Sequence, residues 1–192
     1  MTDILEQLDK VRHGVMFVIE APSGTGKTTV IKKLLAEDKN LKWSVSATTR
    51  PPREGEVDGV DYHFISDEQY DKLLAEDAFY EYVNSQYGAR YGTLRSEVDD
   101  FINVGQDVLF DMDWEGLRQI KAKAPQNVVS IYMLPPSIKE LRRRLEGRHT
   151  DSLEIINKRM SMTADKLIHW TEYDYAVICV SVEQTCQKIQ KI

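Results

Sequence analysis

The eight residues Ala21-Pro-Ser-Gly-Thr-Gly-Lys-Thr28 place two glycines one residue apart, then a lysine and a threonine. Gly24 and Gly26 let the backbone wrap an anion with its amides turned inward, at the positive end of a helix that begins near Lys27. The run fits the phosphate-loop pattern, with Ala21 where the first glycine is commonest. A strand-like run before it and a helical pattern after it give the loop the context it needs. Ala21, Pro22, Ser23, Gly24, Thr25, Gly26, Lys27, Thr28 and Thr29 are therefore expected around the phosphates of a nucleoside triphosphate. Lys27 would act as a point charge, and the Thr28 hydroxyl would join the shell of a Mg²⁺ ion carried with the triphosphate. Taken alone, the motif leaves kinase, switch GTPase and motor ATPase open.

A second candidate is Val108-Leu-Phe-Asp-Met-Asp113, an apolar run that ends in two carboxylates two positions apart. The period of two of a strand puts Asp111 and Asp113 on one face. In phosphate-loop folds ligands sit beyond the carboxyl ends of the strands, so Asp111 is expected to hold the Mg²⁺ through water. A switch GTPase needs an Asn-Lys-x-Asp motif, and Asn157-Lys-Arg-Met160 lacks its Asp. A motor ATPase would bring more chain for partner coupling. A small phosphotransferase is what remains. His13, His63, His149 and His169 show no metal spacing, and Cys179 and Cys186 read as buried or free thiols.

These groups need a scaffold. The 192 residues are 42% hydrophobic and 29% charged, which fits one soluble globular domain. Apolar stretches such as Val15 to Ile19 fall far short of the ~20 residues of a membrane span. With 25 basic and 31 acidic residues the net charge is -6, which argues against nucleic acid or an anionic membrane as partner. Met1 to Gly14 lacks a basic, then apolar leader, so a cytoplasmic protein is expected. Ile4, Leu5, Leu8 and Val11 recur at helical spacing and suggest a short docking helix or a homodimer contact.

Apolar runs at Val15 to Glu20, Val108 to Asp111, Val128 to Met133 and Ala176 to Val180 alternate with helical patterns, as in a parallel sheet covered on both faces. Ser44 to Ala47 is a weaker strand candidate. Helices are expected over Lys27 to Ala36, Asp67 to Glu76, Leu94 to Val104, Glu115 to Lys123, Ser137 to Glu146, Ser152 to His169 and Glu183 to Ile192. Ser137 with Glu140 reads as a capping box. The turn-rich stretch Arg50 to Gly59 leads into short strand-like pieces at Tyr62 to Ile65 and Phe79 to Val83, an inserted α+β subdomain. Tyr70, Trp114 and Trp170 are expected to pack.

Together, Ala21 to Thr28, Ser44-Val-Ser-Ala-Thr-Thr-Arg50 with Pro52-Arg53 and Gly55-Glu-Val57, Tyr91-Gly92, Asp111-Met-Asp113 and Arg144-Leu-Glu-Gly-Arg148 resemble guanylate kinase, from about Val15 to Tyr175. The resemblance implies a phosphate-loop α/β core, a GMP-binding subdomain and a helical lid in one domain spanning 1–192. Its core would be about 14–46, 96–137 and 168–192, its GMP-binding subdomain 47–95 and its lid 138–167, with 1–13 an extension. The implied reaction carries the γ-phosphoryl group of ATP to GMP, and to dGMP, giving ADP and GDP, in purine nucleotide metabolism. Arg50, Arg53, Tyr62 and Tyr91 resemble the family's clamp on the GMP phosphate, where guanidinium forks and phenols meet a dianion.

Glu81 resembles the guanine reader. A carboxylate only accepts, which matches guanine's donors at N1 and N2 and repels the bare N1 of adenine. Ser46 and Thr93 resemble hydroxyl donors to O6, and Asp113 a second acceptor for the exocyclic amine. Arg144, Arg148 and Arg159 resemble the lid arginines that, with Lys27 and Arg50, stabilise the transferring group. Arg142 and Arg143 are assigned to the exposed helix face. The chain departs from the family at Arg90, where a second tyrosine is common, and the segment Glu81 to Tyr91 is one residue longer. Glu115 stands for Gln, His149 for Gly, and Cys179-Val-Ser181 for the usual Asn-Asp-Asp near adenine. A scaffold module with the same fold is the rival reading, disfavoured by the retained Lys27, strand carboxylates and lid arginines.

Overall fold

The alternation of strand and helix patterns is realised over residues 12–84, 88–147 and 152–192, which the computed structural model describes. The helical spacing from Ile4 to Val11, and Arg148 and His149, lie outside these residues. Strands are β1 (Met16–Glu20), β2 (Leu41–Trp43), β3 (Ala47–Thr48), β4 (His63–Phe64), β5 (Phe79–Asn84), β6 (Arg90–Leu94), β7 (Asp107–Asp111), β8 (Val128–Leu134) and β9 (Tyr175–Ile178). Helices are α1 (Lys27–Glu37), α2 (Asp67–Ala75), α3 (Arg95–Asn103), α4 (Trp114–Lys123), α5 (Ile138–Glu146), α6 (Leu153–Leu167) and α7 (Val182–Ile189), with a 3₁₀ turn at Ile168–Glu172. Five strands form a mostly parallel sheet in the order β2-β7-β1-β8-β9, and four form a mixed sheet in the order β4-β3-β6-β5. No helix among the described residues is long and apolar enough to cross a membrane.

Two compact units can be distinguished. One holds the segment ending at Met16, Lys42–Phe110 and Glu115–Val128; the other holds Phe17–Leu41, Asp111–Trp114 and Val129–Ile192. The stretch 47–95 belongs wholly to the first and 138–167 wholly to the second.

In the first unit the small sheet lays Ala47 and Phe79 against Tyr70 of α2, all three buried, with Ile65, Leu73 and Leu94 closing the cluster. The Tyr70 hydroxyl donates to the Tyr91 carbonyl at 2.9 Å, so the packing residue also fixes β6. Arg90 reaches Asp67 at 2.7 Å and Asp71 at 2.5 Å and lies 4.3 Å from the Tyr70 ring, pinning the strand to α2. In the second unit β8 and β9 run parallel from Ile131↔Tyr175 to Leu134↔Ile178. Val18, Ile19, Ile131, Tyr132 and Met133 are fully buried there.

Several expectations change. Ser44 to Ala47 is not one strand: Ser44, Val45 and Ser46 separate β2 from β3. The Ser137 hydroxyl accepts from the Glu140 amide at 3.0 Å, but the Glu140 carboxylate is spent on Arg143 and Arg144, which leaves half a capping box. Those two guanidiniums, Arg143 first, pull the Glu140 pKa down to about 2. The complete box is at Ser66 and Gln69. Trp170 is 44% exposed, against the expectation of packing, whereas Trp114 stacks on His169 at 4.1 Å. Both cysteines are free and buried.

Candidate active site

The loop after β1 depends on its glycines. Gly24 has φ 94° and Gly26, the N-cap of α1, has φ 105°, both in the left-handed region that only glycine enters cheaply. A Cβ on Gly24 would also lie 2.8 Å from Cδ2 of Leu145, so α5 packs on the loop where only a hydrogen fits. The first amides of α1 have no intrahelical acceptors, which makes this end an anion site. Lys27 pairs with Asp111 at the end of β7, and Thr28 and Thr29 are exposed beside it. Arg159 of α6 donates to the Ser23 hydroxyl at 3.1 Å.

Arg144 is placed differently from Arg159. Its Nε donates to Glu140, Nη1 to the Thr25 carbonyl, and Nη2 to the carbonyls of Cys179 and Val180, at 2.9 to 3.2 Å. Three segments are thereby joined around a cavity of about 290 Å³ lined by Gly24, Thr25, Gly26, Val30, Arg144, Cys179, Val180, Ser181, Val182 and Thr185. The departure at Cys179-Val-Ser181 thus falls in the cavity wall, where two backbone carbonyls take up Arg144.

Glu20, the last residue of β1, was not singled out by the sequence reading. Glu20 is 1% exposed, accepts from the Tyr173 hydroxyl at Oε2, and has Lys166 3.9 Å from Oε1, an oxygen without a hydrogen-bond partner among the described residues. Burial pushes its pKa up, against the opposing pull of Tyr173 and then Lys166. The Tyr173 ring meets Tyr132 edge-on at 5.0 Å, and the Tyr132 hydroxyl donates to the Lys166 carbonyl at 3.0 Å. The available signal was an acid closing an otherwise apolar run.

In the first unit, Arg50, Arg53 and Tyr91 line a cavity of about 450 Å³ with Thr49, Pro51, Asp67, Gly88 and Ala89. Arg50 lies 5.4 Å from the Tyr62 ring, and the Tyr62 and Tyr91 rings meet edge-on at 5.8 Å. Burial raises the Tyr62 pKa, keeping the phenol a donor. Three of the four expected clamp residues thus share the cavity, and the fourth packs on two of them.

Glu81 and Thr93 face each other across β5 and β6. Glu81 is 8% exposed, and the Thr93 hydroxyl donates to Glu81 Oε1 at 2.8 Å. That hydroxyl, expected to serve guanine O6, gives its proton to the carboxylate here. Ser46 lies just before β3, and its carbonyl accepts from the His63 amide at 3.0 Å. Asp113 belongs to the second unit and is exposed.

Comparison with known proteins identifies the family. A profile of the guanylate kinase family matches residues 14–192. The guanylate kinase of Zymomonas mobilis is 46% identical over 181 residues, covering 94% of this chain and 83% of its own length. That of Paramagnetospirillum magneticum is 44% identical over 192 residues, 100% of this chain and 88% of its own. The crystal structure of guanylate kinase from Anaplasma phagocytophilum superposes with a TM-score of 0.70 at 32% identity, covering 94% of this chain and 85% of that one. A family match over residues 14–192 and relatives above 40% identical across nearly the whole chain show that it belongs to the guanylate kinase family.

Proposed function

We propose that the chain transfers the γ-phosphoryl group of ATP to GMP, giving ADP and GDP, with the second unit holding the donor and the first the acceptor. The observation that carries the acceptor assignment is Glu81, a buried carboxylate fixed by Thr93 in the same unit as the Arg50 clamp. Its oxygens accept from guanine N1–H and N2–H, Ser46 and Asp113 add polar contacts to the base, and Arg50, Arg53, Tyr62 and Tyr91 take the phosphate. On the donor side, the loop from Ala21 to Thr29 holds the triphosphate through the backbone N–H groups that follow Pro22, and Lys27 supplies its charge. Arg144, Arg148 and Arg159 spread positive charge over the transferring group. Phosphoryl transfer has a loose transition state that asks for alignment and charge compensation more than for a base.

The donor set suits Mg²⁺ held chiefly by phosphates and water. Asp111 is a single carboxylate already at the loop, Thr28 offers an exposed hydroxyl, and the described residues contain no cluster of three or more metal-ligating side chains. When bound, the ion neutralises charge on the phosphate oxygens. The reading places the protein in the cytoplasm, in purine nucleotide metabolism, with dGMP as an alternative acceptor and a homodimer as a possible assembly. A coupled assay of ATP with GMP, dGMP, AMP, UMP and CMP tests it. Turnover of GMP and dGMP far above the other three is expected, and equal use of AMP would overturn it.

A further inference from the structure

The mechanism above leaves Glu56 without a task, yet Glu56 is bonded to both clamp arginines. Its Oε1 and Oε2 accept from Nη2 and Nη1 of Arg50, each at 2.9 Å, in a two-point fork. The same Oε2 accepts from the backbone amide of Arg53 at 2.7 Å, and the Glu56 amide donates back to the Arg53 carbonyl at 3.1 Å. Arg50 and Glu56 side chains are only 14% and 20% exposed. The carboxylate is therefore tied on two sides and is not a counterion free to swing away.

A guanidinium has five N–H donors. On Arg50 both Nη1 protons are used, one by Glu56 and one by the Pro51 carbonyl at 2.8 Å, and Glu56 takes one of the two on Nη2. The second Nη2 proton and the Nε proton, which lie on one edge of the plane, are taken by neither Glu56 nor Pro51. Nε is buried and has no hydrogen-bond partner within bonding distance among the described residues. The Tyr91 phenol, another clamp residue, is a hydrogen-bond partner of this same guanidinium, so the edge faces a clamp group that would meet the same phosphate. An edge with two parallel donors matches two oxygens of a phosphate.

We infer that Glu56 is a positioning residue for the acceptor: by holding the Nη1–Nη2 edge of Arg50, it reserves the Nε–Nη2 edge for the phosphate of GMP. The inference rests on the reading of Arg50 as part of the GMP clamp. A carboxylate that merely occupied the clamp until GMP displaced it would have the opposite effect when removed, since its loss would favour the incoming dianion.

Two measurements test this. In steady-state kinetics, Glu56→Gln should raise KM for GMP about tenfold or more, change KM for ATP less than twofold and lower kcat much less than it raises KM. In ¹H–¹⁵N spectra of the wild type, the Arg50 Nε–H resonance, assigned by its loss in Arg50→Lys, should move on addition of GMP. In Glu56→Gln it should be broadened before GMP is added. A lower or unchanged KM for GMP in Glu56→Gln, or an Nε–H resonance indifferent to GMP, overturns the role of Glu56. A wild-type resonance indifferent to GMP rules out that edge even if the variant does not fold, and Glu56→Asp, which keeps the charge but shortens the reach to Arg50, then tests Glu56 by the same comparison of KM for GMP and ATP. If Arg50→Lys also leaves KM for GMP unchanged, the clamp reading itself fails. If Arg50→Lys raises it and Glu56→Gln does not, only the inference about Glu56 fails.

Discussion

Glu81→Gln isolates base recognition because it keeps size and burial and exchanges one acceptor for a donor. Glu81 is 8% exposed and takes the Thr93 hydroxyl proton at 2.8 Å, so the side chain cannot withdraw to solvent. If the amide oxygen stays on Thr93, the NH₂ meets one guanine donor; if the amide flips, the NH₂ meets the other. Either way one charge-assisted bond, about 1.5 to 3 kcal/mol, is lost and a donor is left facing a donor at about 1 to 3 kcal/mol more. A total of about 2.5 to 6 kcal/mol corresponds to roughly 10² to 10⁴ in kcat/KM for GMP. Discrimination against AMP should shrink at the same time, since the new NH₂ can donate to adenine N1. A coupled assay with GMP and AMP measures both, and ATP affinity by calorimetry should stay near wild type. Thr93→Val is the control: it frees the carboxylate without changing its chemistry, so GMP turnover should fall about tenfold or less with guanine preference kept. A Glu81→Gln enzyme that used GMP within a few-fold of wild type would refute the assignment.

Three further perturbations probe the donor side. Lys27→Ala should lower kcat at least 10²-fold while the melting temperature stays within a few degrees, because an ion pair this open contributes only about 0 to 1 kcal/mol; full activity would remove the phosphate loop from the mechanism. Gly24→Ala should raise KM for ATP and lower stability by roughly 1 to 2 kcal/mol for the left-handed backbone, with more from the contact with Leu145; calorimetry and ATP titration check both. Glu20→Gln should raise the melting temperature at pH 7 by a few degrees, about 1 kcal/mol, since it removes a buried charge while leaving an acceptor for Tyr173. The sign follows from the direction of the Glu20 shift: its folded pKa lies above the unfolded one, so the wild type is relatively favoured below the unfolded value and loses that as pH rises through the folded value. The stability gap between Glu20→Gln and wild type should therefore close toward pH 4, and a gap that widened on acidification would show that Glu20 is stabilising as an anion.

Much of the scaffold was legible because its signal is periodic. The runs that became β1, β7, β8 and β9 are apolar and β-branched, and each helix was anticipated within a few residues of its ends. The small sheet was harder. In β6 the run Arg90-Tyr-Gly-Thr-Leu has a charge at one end and a glycine in the middle, and its strand state comes from pairing with β3 and β5 and from the grip of Tyr70 and Arg90 on α2. Trp170 shows the converse: a large aromatic residue predicts burial on average, but its position on a short 3₁₀ turn leaves it at the surface.

The site residues were legible by type, while their partners were not, and the arginines show why this matters. Arg144 and Arg159 read alike in sequence, as cations on neighbouring helices of a lid. A guanidinium's chemistry depends on how many of its five donors are already taken. Arg144 gives one to Glu140 and three to backbone carbonyls among the described residues, so most of its donors are already engaged, and what it would bring to a transferring group is chiefly its charge and the cavity wall it braces. Among its contacts Arg159 donates to a loop hydroxyl, Ser23, that a phosphate oxygen can replace as acceptor without stranding a backbone group. Arg50 lies between these cases, with three donors given to Glu56 and Pro51 and one edge taken by neither. Loss of Arg159 should therefore act on turnover, whereas loss of Arg144 strands the carbonyls of Thr25, Cys179 and Val180 and acts on the shape of the nucleotide cavity as well.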